Sequence, residues 1–339
     1  MASSNKNQQN QSKNREYLLE VEDLYGQYRG TFGVVQGTDG VSLKIKKGEI
    51  VAIAGESGCG KSTLAELVSA TPRPVLHFQS GKVIVDGFDV YNTDPEVIRT
   101  KVKCERMSYV PQASLESLNP VKRIKDFIFD VVKQRTGKKK SDKEKIIEEA
   151  SNHFKRVGLA KDVLDRFPHE LSGGMKQRAV IAISTMWNPK LLIIDEPTSA
   201  LDVSSQQRMI RMLYELMQQR IIESILFVSH DIATLRQLCH RAIIMYAGKI
   251  VEESSMDELI EEPLHPYAKG LVTSFVAYNP DGKRPKLRSI PGSHPSLLNP
   301  PPGCRFHPRC PEAMTHCKSY EPPMVKPKPQ HRVACFLYK

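Results

Sequence analysis

An α/β fold is predicted by three features of this 339-residue sequence. The first is a glycine-rich turn, Gly55 to Thr63, placed between the apolar run Ile50 to Ala54 and a helix opening at Ser62 to Leu64. The second is a pair of short apolar runs ending at Ile194 and Val228, the pattern of strands covered on both faces of a parallel sheet. The third is a middle stretch, about 97–187, whose apolar residues recur at helical spacing.

Taken in order, residues 1–15 are polar and read as a disordered tail. Leu18 to Leu24 reads as a strand, and Gly33 to Ile45 as a second strand pair closed by the turn Lys46 to Glu49. A helix, Thr63 to Ala70, follows the glycine turn, and Gly81 to Gly87 returns as a strand bounded by glycines. Helical spacing then marks Ile124 to Val132, Ile146 to Val157 and Met175 to Met186. Lys138 to Asp142 reads as a solvated loop, and Pro111 to Pro120 as a flexible connector. After the strand Leu191 to Ile194 comes an amphipathic helix with Met209, Met212, Leu213 and Leu216 on one face, where methionine fills core space. Ser224 to Val228 is a further buried strand. Ala242 to Met245 and Lys249 to Glu252 form a hairpin about Ala247-Gly248. Beyond Glu262 prolines accumulate and a separate tail module is expected.

Length implies one large domain with a smaller appendage. No apolar run approaches the roughly 18 residues that cross a bilayer, and Met1 to Asn14 carries no apolar leader segment, so the chain is expected to be neither secreted nor membrane-spanning. Cys59, Cys104 and Cys239 are scattered, as suits a reducing cytoplasm. The net charge is +11, and from Pro280 to Lys339 there are eleven Lys/Arg against three Asp/Glu. Aromatic residues are sparse there, so base-stacking platforms are not expected and acidic partners or lipid headgroups fit the basic tail better than nucleic acid.

Gly55-Glu56-Ser57-Gly58-Cys59-Gly60-Lys61-Ser62-Thr63 has the strand-turn-helix setting of a nucleotide-phosphate loop. Backbone N–H groups from Gly58 to Ser62 would face an anion, with Gly58 and Gly60 supplying positive φ. Lys61 would reach the β- and γ-phosphates, and the Ser62 hydroxyl would hold Mg²⁺. Asp195, ending a buried strand, is placed to bind Mg²⁺, and Glu196 to orient or deprotonate water; the competing reading of the pair is a helix cap. Leu171-Ser172-Gly173-Gly174-Met175-Lys176-Gln177-Arg178 offers a second anion-binding helix start. Two such starts in one chain imply a head-to-tail dimer in which each loop faces the partner's Ser-Gly-Gly helix. His230, after the strand to Val228, would emerge at the same sheet edge as Asp195. Tyr28 either packs on its own sheet or stacks on an adenine.

Together, Gly55 to Thr63, Gln112, Leu171 to Arg178, Leu192 to Glu196, Ser199-Ala200-Leu201-Asp202 and His230 resemble the ATP-binding subunits of ABC transporters over about residues 16–262. The resemblance implies a P-loop NTPase core, a mixed sheet with an antiparallel β subdomain, carrying a helical subdomain at about 97–187. It makes Tyr28 the adenine-stacking aromatic, Gln112 the residue that senses Mg²⁺ and couples to the membrane partner, Ser172 and Gly174 the γ-phosphate contacts across the dimer, Gln177 part of that signature, Asp202 a D-loop residue and His230 a switch histidine. Cys59 stands where the family often has serine, its side chain expected to point away from the phosphates.

The tail, 263–339, carries Cys304, Cys310, Cys317 and Cys335, separated by five, six and seventeen residues. Four clustered thiols argue for a metal site, although no spacing is the Cys-x-x-Cys of a zinc ribbon. Similar tails in the dipeptide and oligopeptide branch of ABC importers ligate an iron–sulfur cluster, and Ser117-Leu118-Asn119-Pro120 also resembles that branch. A [4Fe–4S] cluster is therefore expected, with zinc, or unligated or oxidised cysteines, as alternatives. The branch implies ATP, Mg²⁺, a paralogous ATPase partner, two membrane permease subunits, an extracytoplasmic substrate-binding protein and a peripheral place on the cytoplasmic face of the membrane. Its cargo is peptide, or in some members nickel or oligosaccharide. A DNA-acting ATPase and a non-catalytic regulatory subunit are the rival functions.

Overall fold

The structure, a computed structural model, describes residues 15–31, 33–136, 143–198, 201–275 and 290–338. The elements run β1 (Tyr17–Gly30), β2 (Gly33–Lys46), β3 (Ile50–Ala54), α1 (Lys61–Val68), β4 (Leu76–Val85), β5 (Phe88–Asp89) and β6 (Met107–Val110). They continue with α2 (Ile124–Thr136), α3 (Lys143–Arg156), α4 (Gly173–Thr185), β7 (Leu191–Asp195), α5 (Val203–Gln218), β8 (Ser224–Val228) and α6 (Ile232–Arg236). The last are β9 (Arg241–Tyr246), β10 (Lys249–Ser255), α7 (Met256–Glu261), α8 (Pro266–Phe275), β11 (Met324–Lys328) and β12 (His331–Ala334). They gather into two compact units, one of residues up to Leu19, Lys46–Gly48 and Ile84–Ile225, the other of Glu20–Ile45, Glu49–Val83 and Leu226 onward.

In the second unit β3 is buried at all five positions, which is why its sequence is continuously apolar and not alternating. Each of Ile50, Val51 and Ile53 contributes about 1.5–3 kcal/mol by leaving water. β3 pairs in parallel with β9, Val51 opposite Arg241 and Ala54 opposite Ile244. β9 then turns at Ala247 and Gly248, both at positive φ (47° and 84°), into the antiparallel β10, so the sheet is mixed as expected. β12 adds antiparallel to β10, Glu252 opposite Val333, and β11 to β12. The tail therefore extends the sheet of the core and does not stand apart from it. Its attachment is polar as well as apolar. Glu252, fully buried, accepts from the backbone N–H of Leu264 (2.9 Å) and His265 (2.6 Å) and pairs with His331 Nε2 at 2.7 Å.

A further sheet has the order β2-β1-β4-β5. Gly33 to Ile45, expected as a strand pair, is one continuous strand, because its alternating apolar residues Val41, Leu43 and Ile45 are buried on one face to its end.

In the first unit α2, α3 and α4 bear out the helical spacing, burying Ile124 and Ile128, Ala150 and Phe154, and Ala179 to Ile183. The middle stretch is not wholly helical. Met107–Val110 is a strand, β6, paired in parallel with β7 from Met107 opposite Leu191 to Val110 opposite Ile194. α5 buries Met209, Met212, Leu213 and Leu216 as its period predicts. Asp86, only 3 % exposed, is held by Arg106 and by Lys190 Nζ at 2.9 Å. The expected tail 1–14, the loop Lys138 to Asp142, and Ser199 and Ala200 lie outside the described residues.

Candidate nucleotide site

The glycine loop lies wholly in the second unit, running from β3 into α1. Gly58 and Gly60 take φ of 78° and 106°, the conformations expected of them. A Cβ at Gly60 would stand 2.2 Å from the Gly37 carbonyl oxygen, and one at Gly55 2.3 Å from that of Met245. The loop is thus packed against backbone on two sides, and glycine is the residue that fits. Lys61, 5 % exposed, crosses the loop and donates to the carbonyls of Gly55 (2.8 Å) and Glu56 (3.0 Å). Its ammonium is held at the loop's centre, where a polyphosphate would meet it. Cys59 is buried with its sulfur directed inward, toward the position a Gly55 side chain would take, and burial pushes its thiol pKa up. Its carbonyl accepts from Gly248 N–H at 2.8 Å, fixing the loop to the β9–β10 turn. Ser57 is exposed and Ser62 half-buried at the start of α1.

Tyr28, half-buried on β1, shares a 2.9 Å hydrogen bond between its hydroxyl and that of Thr63 in α1. The ring is thereby tied to the helix that the loop opens. His230 is exposed immediately after β8. Asp231 caps α6, accepting from Ala233 and Thr234 N–H.

The remaining candidates belong to the first unit. Asp195 ends β7 at 1 % exposure, and Glu196 follows at 6 % with φ of 48°. No helix starts at this pair, so the helix-cap reading of it fails; the cap of α5 is Asp202, which accepts from Ser205 N–H at 3.0 Å and Ser205 Oγ at 2.6 Å. Ser172 caps α4 through Met175 N–H at 3.3 Å, as its sequence predicts. Gln177, 4 % exposed, donates to the carbonyl of Pro197 and so ties α4 to the turn after Glu196. Ser172, Gly173, Gly174 and Gln177 share one cavity of about 310 Å³ with Asp202. Arg178, the end of the Leu171 to Arg178 stretch, completes its polar wall with Ser205 and Arg208, two residues the sequence did not single out. Gln112 is exposed just after Pro111, where β6 gives way to the irregular connector with a single helical turn, Ser114–Glu116.

Glu56 has partners that no local pattern announces. Both carboxylate oxygens accept from Arg309 (2.7 and 3.0 Å), and His294 Nδ1 lies 2.9 Å away. Burial works to raise its pKa, but Arg309 and His294 together hold it below the usual carboxylate value.

Two family models match the chain: ABC transporter over residues 38–199, and oligopeptide/dipeptide transporter, C-terminal region, over 251–317. The dipeptide transport ATP-binding protein DppD of Caldanaerobacter subterraneus subsp. tengcongensis is 41% identical over 323 residues, 95% of this chain and 97% of that protein. The chain belongs to the ATP-binding proteins of ABC transporters. The oligopeptide transport ATP-binding protein AppD of Bacillus subtilis is 38% identical over 329 residues, again 95% and 97% of the two chains. Among solved structures, the ATP-binding cassette MJ0796, determined as a dimer in a post-hydrolysis state with ADP and Pi, shares the fold at TM-score 0.60 and 24% identity, over 70% of this chain and 98% of that one. The protein is accordingly an ABC-type ATPase, a chemistry that uses ATP and Mg²⁺. Among the described residues no helix is long and apolar enough to cross a membrane.

In this ABC ATPase the four tail cysteines do come together. Cys304, Cys310, Cys317 and Cys335 border one small cavity with His265, Phe306 and Glu312. Cys304 N–H donates to the Cys317 carbonyl at 2.9 Å, and Gly303 takes φ of 65° where a Cβ would strike that same oxygen at 2.5 Å. The arrangement itself does not support the metal expectation: among the described residues there is no group of three or more His, Cys, Asp or Glu set to hold a metal ion. The cavity has about 10 Å³ of room, that of one water. Burial, with the neighbouring cysteines, pushes Cys304 up to about 11 and raises Cys310 and Cys335, so these thiols are protonated in this arrangement. The donor chemistry suits a thiolate-liganded group. Binding one would spread the sulfurs and displace their protons.

Proposed function

We propose that the protein is the ATP-hydrolysing subunit that powers import of peptides through a membrane permease, working at the cytoplasmic face of the membrane. The observation that carries this reading is the presence of two half-sites in one chain. One is a phosphate loop with Lys61 already seated on the carbonyls of Gly55 and Glu56. The other is the Ser172-capped start of α4 opening on its own cavity, whose lining residues, among those described, include none of the loop. Each half suits an opposite half on a second ATPase chain, and the dimeric state of the similar cassette supports that arrangement. Relatives named for dipeptide and oligopeptide transport, similar over nearly the whole chain, support peptide as cargo.

In this reading the loop from Gly55 to Thr63 holds the phosphates, Tyr28 the adenine, and Ser62, Asp195 and Gln112 the Mg²⁺. Glu196 orients the attacking water, with His230 beside the γ-phosphate. Ser172, Gly173, Gly174 and Gln177 complete the site of a partner chain, which we take to be a paralogue, and Asp202 lies at the same junction. Closure of the dimer on ATP passes through Gln112 and the connector to two permease subunits served by a substrate-binding protein. In the same reading the domains are residues 16–262, with a helical subdomain at about 97–187, and 263–339, the last joined to the first by the β10–β12 pairing. The test is Glu196→Gln in the assembled transporter. ATP turnover is expected to fall about 100-fold or more while ATP still binds, since amide keeps the shape but loses the base; undiminished turnover would remove Glu196 from the chemistry.

For the cysteine cavity we propose a [4Fe–4S] cluster rather than zinc. What supports this reading is that Cys304, Cys310, Cys317 and Cys335 border one cavity, since a cluster of this type takes one thiolate per iron. Iron and acid-labile sulfide measured on anaerobically prepared protein are expected in equal amounts. Zinc without sulfide would overturn the assignment.

A further inference from the structure

We propose that Arg309 is a positioning residue for the phosphate loop: it neutralises and orients Glu56, and so makes the cysteine-bearing tail a working part of the ATP site of its own chain. This rests on Gly55 to Thr63 being the ATP loop, as proposed above.

Glu56 is the second residue of the loop, and four groups hold it, one of them His294, whose Nδ1 lies 2.9 Å from the carboxylate. Its carboxylate takes a two-bonded pair from Arg309, its backbone N–H donates to Tyr267 Oη at 2.7 Å, and its carbonyl accepts Lys61 Nζ at 3.0 Å. Arg309 is itself clamped. Its Nε donates to the Pro291 carbonyl at 2.8 Å and its Nη1 to Tyr246 Oη at 3.3 Å, with its side chain 6 % exposed. Beneath the pair Tyr246, Tyr267 and Phe306 pack together at ring separations of 4.6, 5.1 and 5.5 Å. Arg309 precedes Cys310 by one residue, and Phe306 and Cys310 border the thiol cavity. One segment, Cys304 to Cys310, therefore reaches both the cysteines and the loop.

Two physical effects follow. A loop built on Gly55, Gly58 and Gly60 gives up much backbone freedom when it closes on phosphate, and a residue pinned at its second position has already lost that freedom. The second effect is charge. An unpaired carboxylate on the loop would repel a polyphosphate a few ångströms away, and a fork-on-fork arginine cancels it with fixed geometry, which a lysine cannot reproduce. Removing Arg309 exposes the repulsion; removing the Glu56 charge as well relieves it.

The experiment measures equilibrium binding of an N-methylanthraniloyl derivative of ADP to the full chain by fluorescence. Arg309→Met is expected to weaken binding about tenfold, an effect that shrinks at high salt. The double change with Glu56→Gln should recover more than half of that loss on a logarithmic scale, and Arg309→Lys should fall between wild type and Arg309→Met. Arg332→Met removes an ion pair with Glu253 elsewhere on the tail and is expected to bind as wild type. Unchanged affinity in Arg309→Met, no recovery in the double variant, or an equal loss in Arg332→Met would overturn the inference. Should Arg309→Met not fold, Arg309→Lys and the double variant carry the same comparison. If the wild-type chain itself binds no nucleotide, it is the reading of the loop that fails.

Discussion

At Gly60 a single hydrogen separates a working loop from a clash. Its φ of 106° lies where side chains are strained, and the Gly37 carbonyl oxygen would sit 2.2 Å from a Cβ. Because that neighbour is backbone, it cannot swing aside. Gly60→Ala is expected to cost about 2–4 kcal/mol, seen as a lower denaturation midpoint with an unchanged slope; Gly58→Ala, whose Cβ would meet open space, is expected to cost about half as much, from φ alone. The need for these glycines was legible in the sequence because the spacing of a phosphate loop is local. The partner of Glu56 was not, since Arg309 lies 253 residues further on and nothing in Arg-Phe-His-Pro-Arg-Cys says that its second arginine faces Glu56 while its first, Arg305, faces Asp39.

Elements were legible in proportion to their length and period. The helices α2, α3, α4 and α5 each repeat an apolar face for three turns or more, and the sequence places them within a few residues. β6 escaped because four residues, Met107-Ser108-Tyr109-Val110, offer no period, and its identity as a strand comes from pairing with β7, about eighty residues away. The tail strands escaped for a related reason: β11 contains Pro327 and β12 only four residues, and both exist as strands because β10 offers an edge. What joins that edge is a polar fastening. Glu252→Ala would leave the N–H groups of Leu264 and His265 and the His331 imidazole without their acceptor in a site closed to water. The expected loss is about 3–5 kcal/mol by chemical denaturation. His331→Ala in the same background should add less than it costs alone, because the two side chains act as one unit.

For the whole molecule, two buried histidines set the direction in which stability changes with pH. His265, 1 % exposed, keeps its Nδ1 as the acceptor of Tyr267 N–H at 3.0 Å, and burial, with Lys269, lowers its pKa to about 3. His153 on α3 meets Thr185 Oγ1 at 2.8 Å, and burial, with Arg156, lowers it to about 4. Both are neutral in the folded chain, while the unfolded chain takes up a proton on each near pH 6.5. Below that pH the unfolded state binds more protons than the folded one, so stability falls as pH falls, and it goes on falling until the folded-state values near 4 and 3 are passed. One histidine sits in each compact unit, so both units weaken together. By pH 5 the loss is about 2 kcal/mol for each histidine. Urea midpoints at pH 7 and pH 5 check this. His265→Asn keeps an acceptor for Tyr267 N–H but does not titrate, and is expected to remove about half of the difference between the two midpoints. A difference as large as that of the wild type would mean that His265 is not the group taking up the proton.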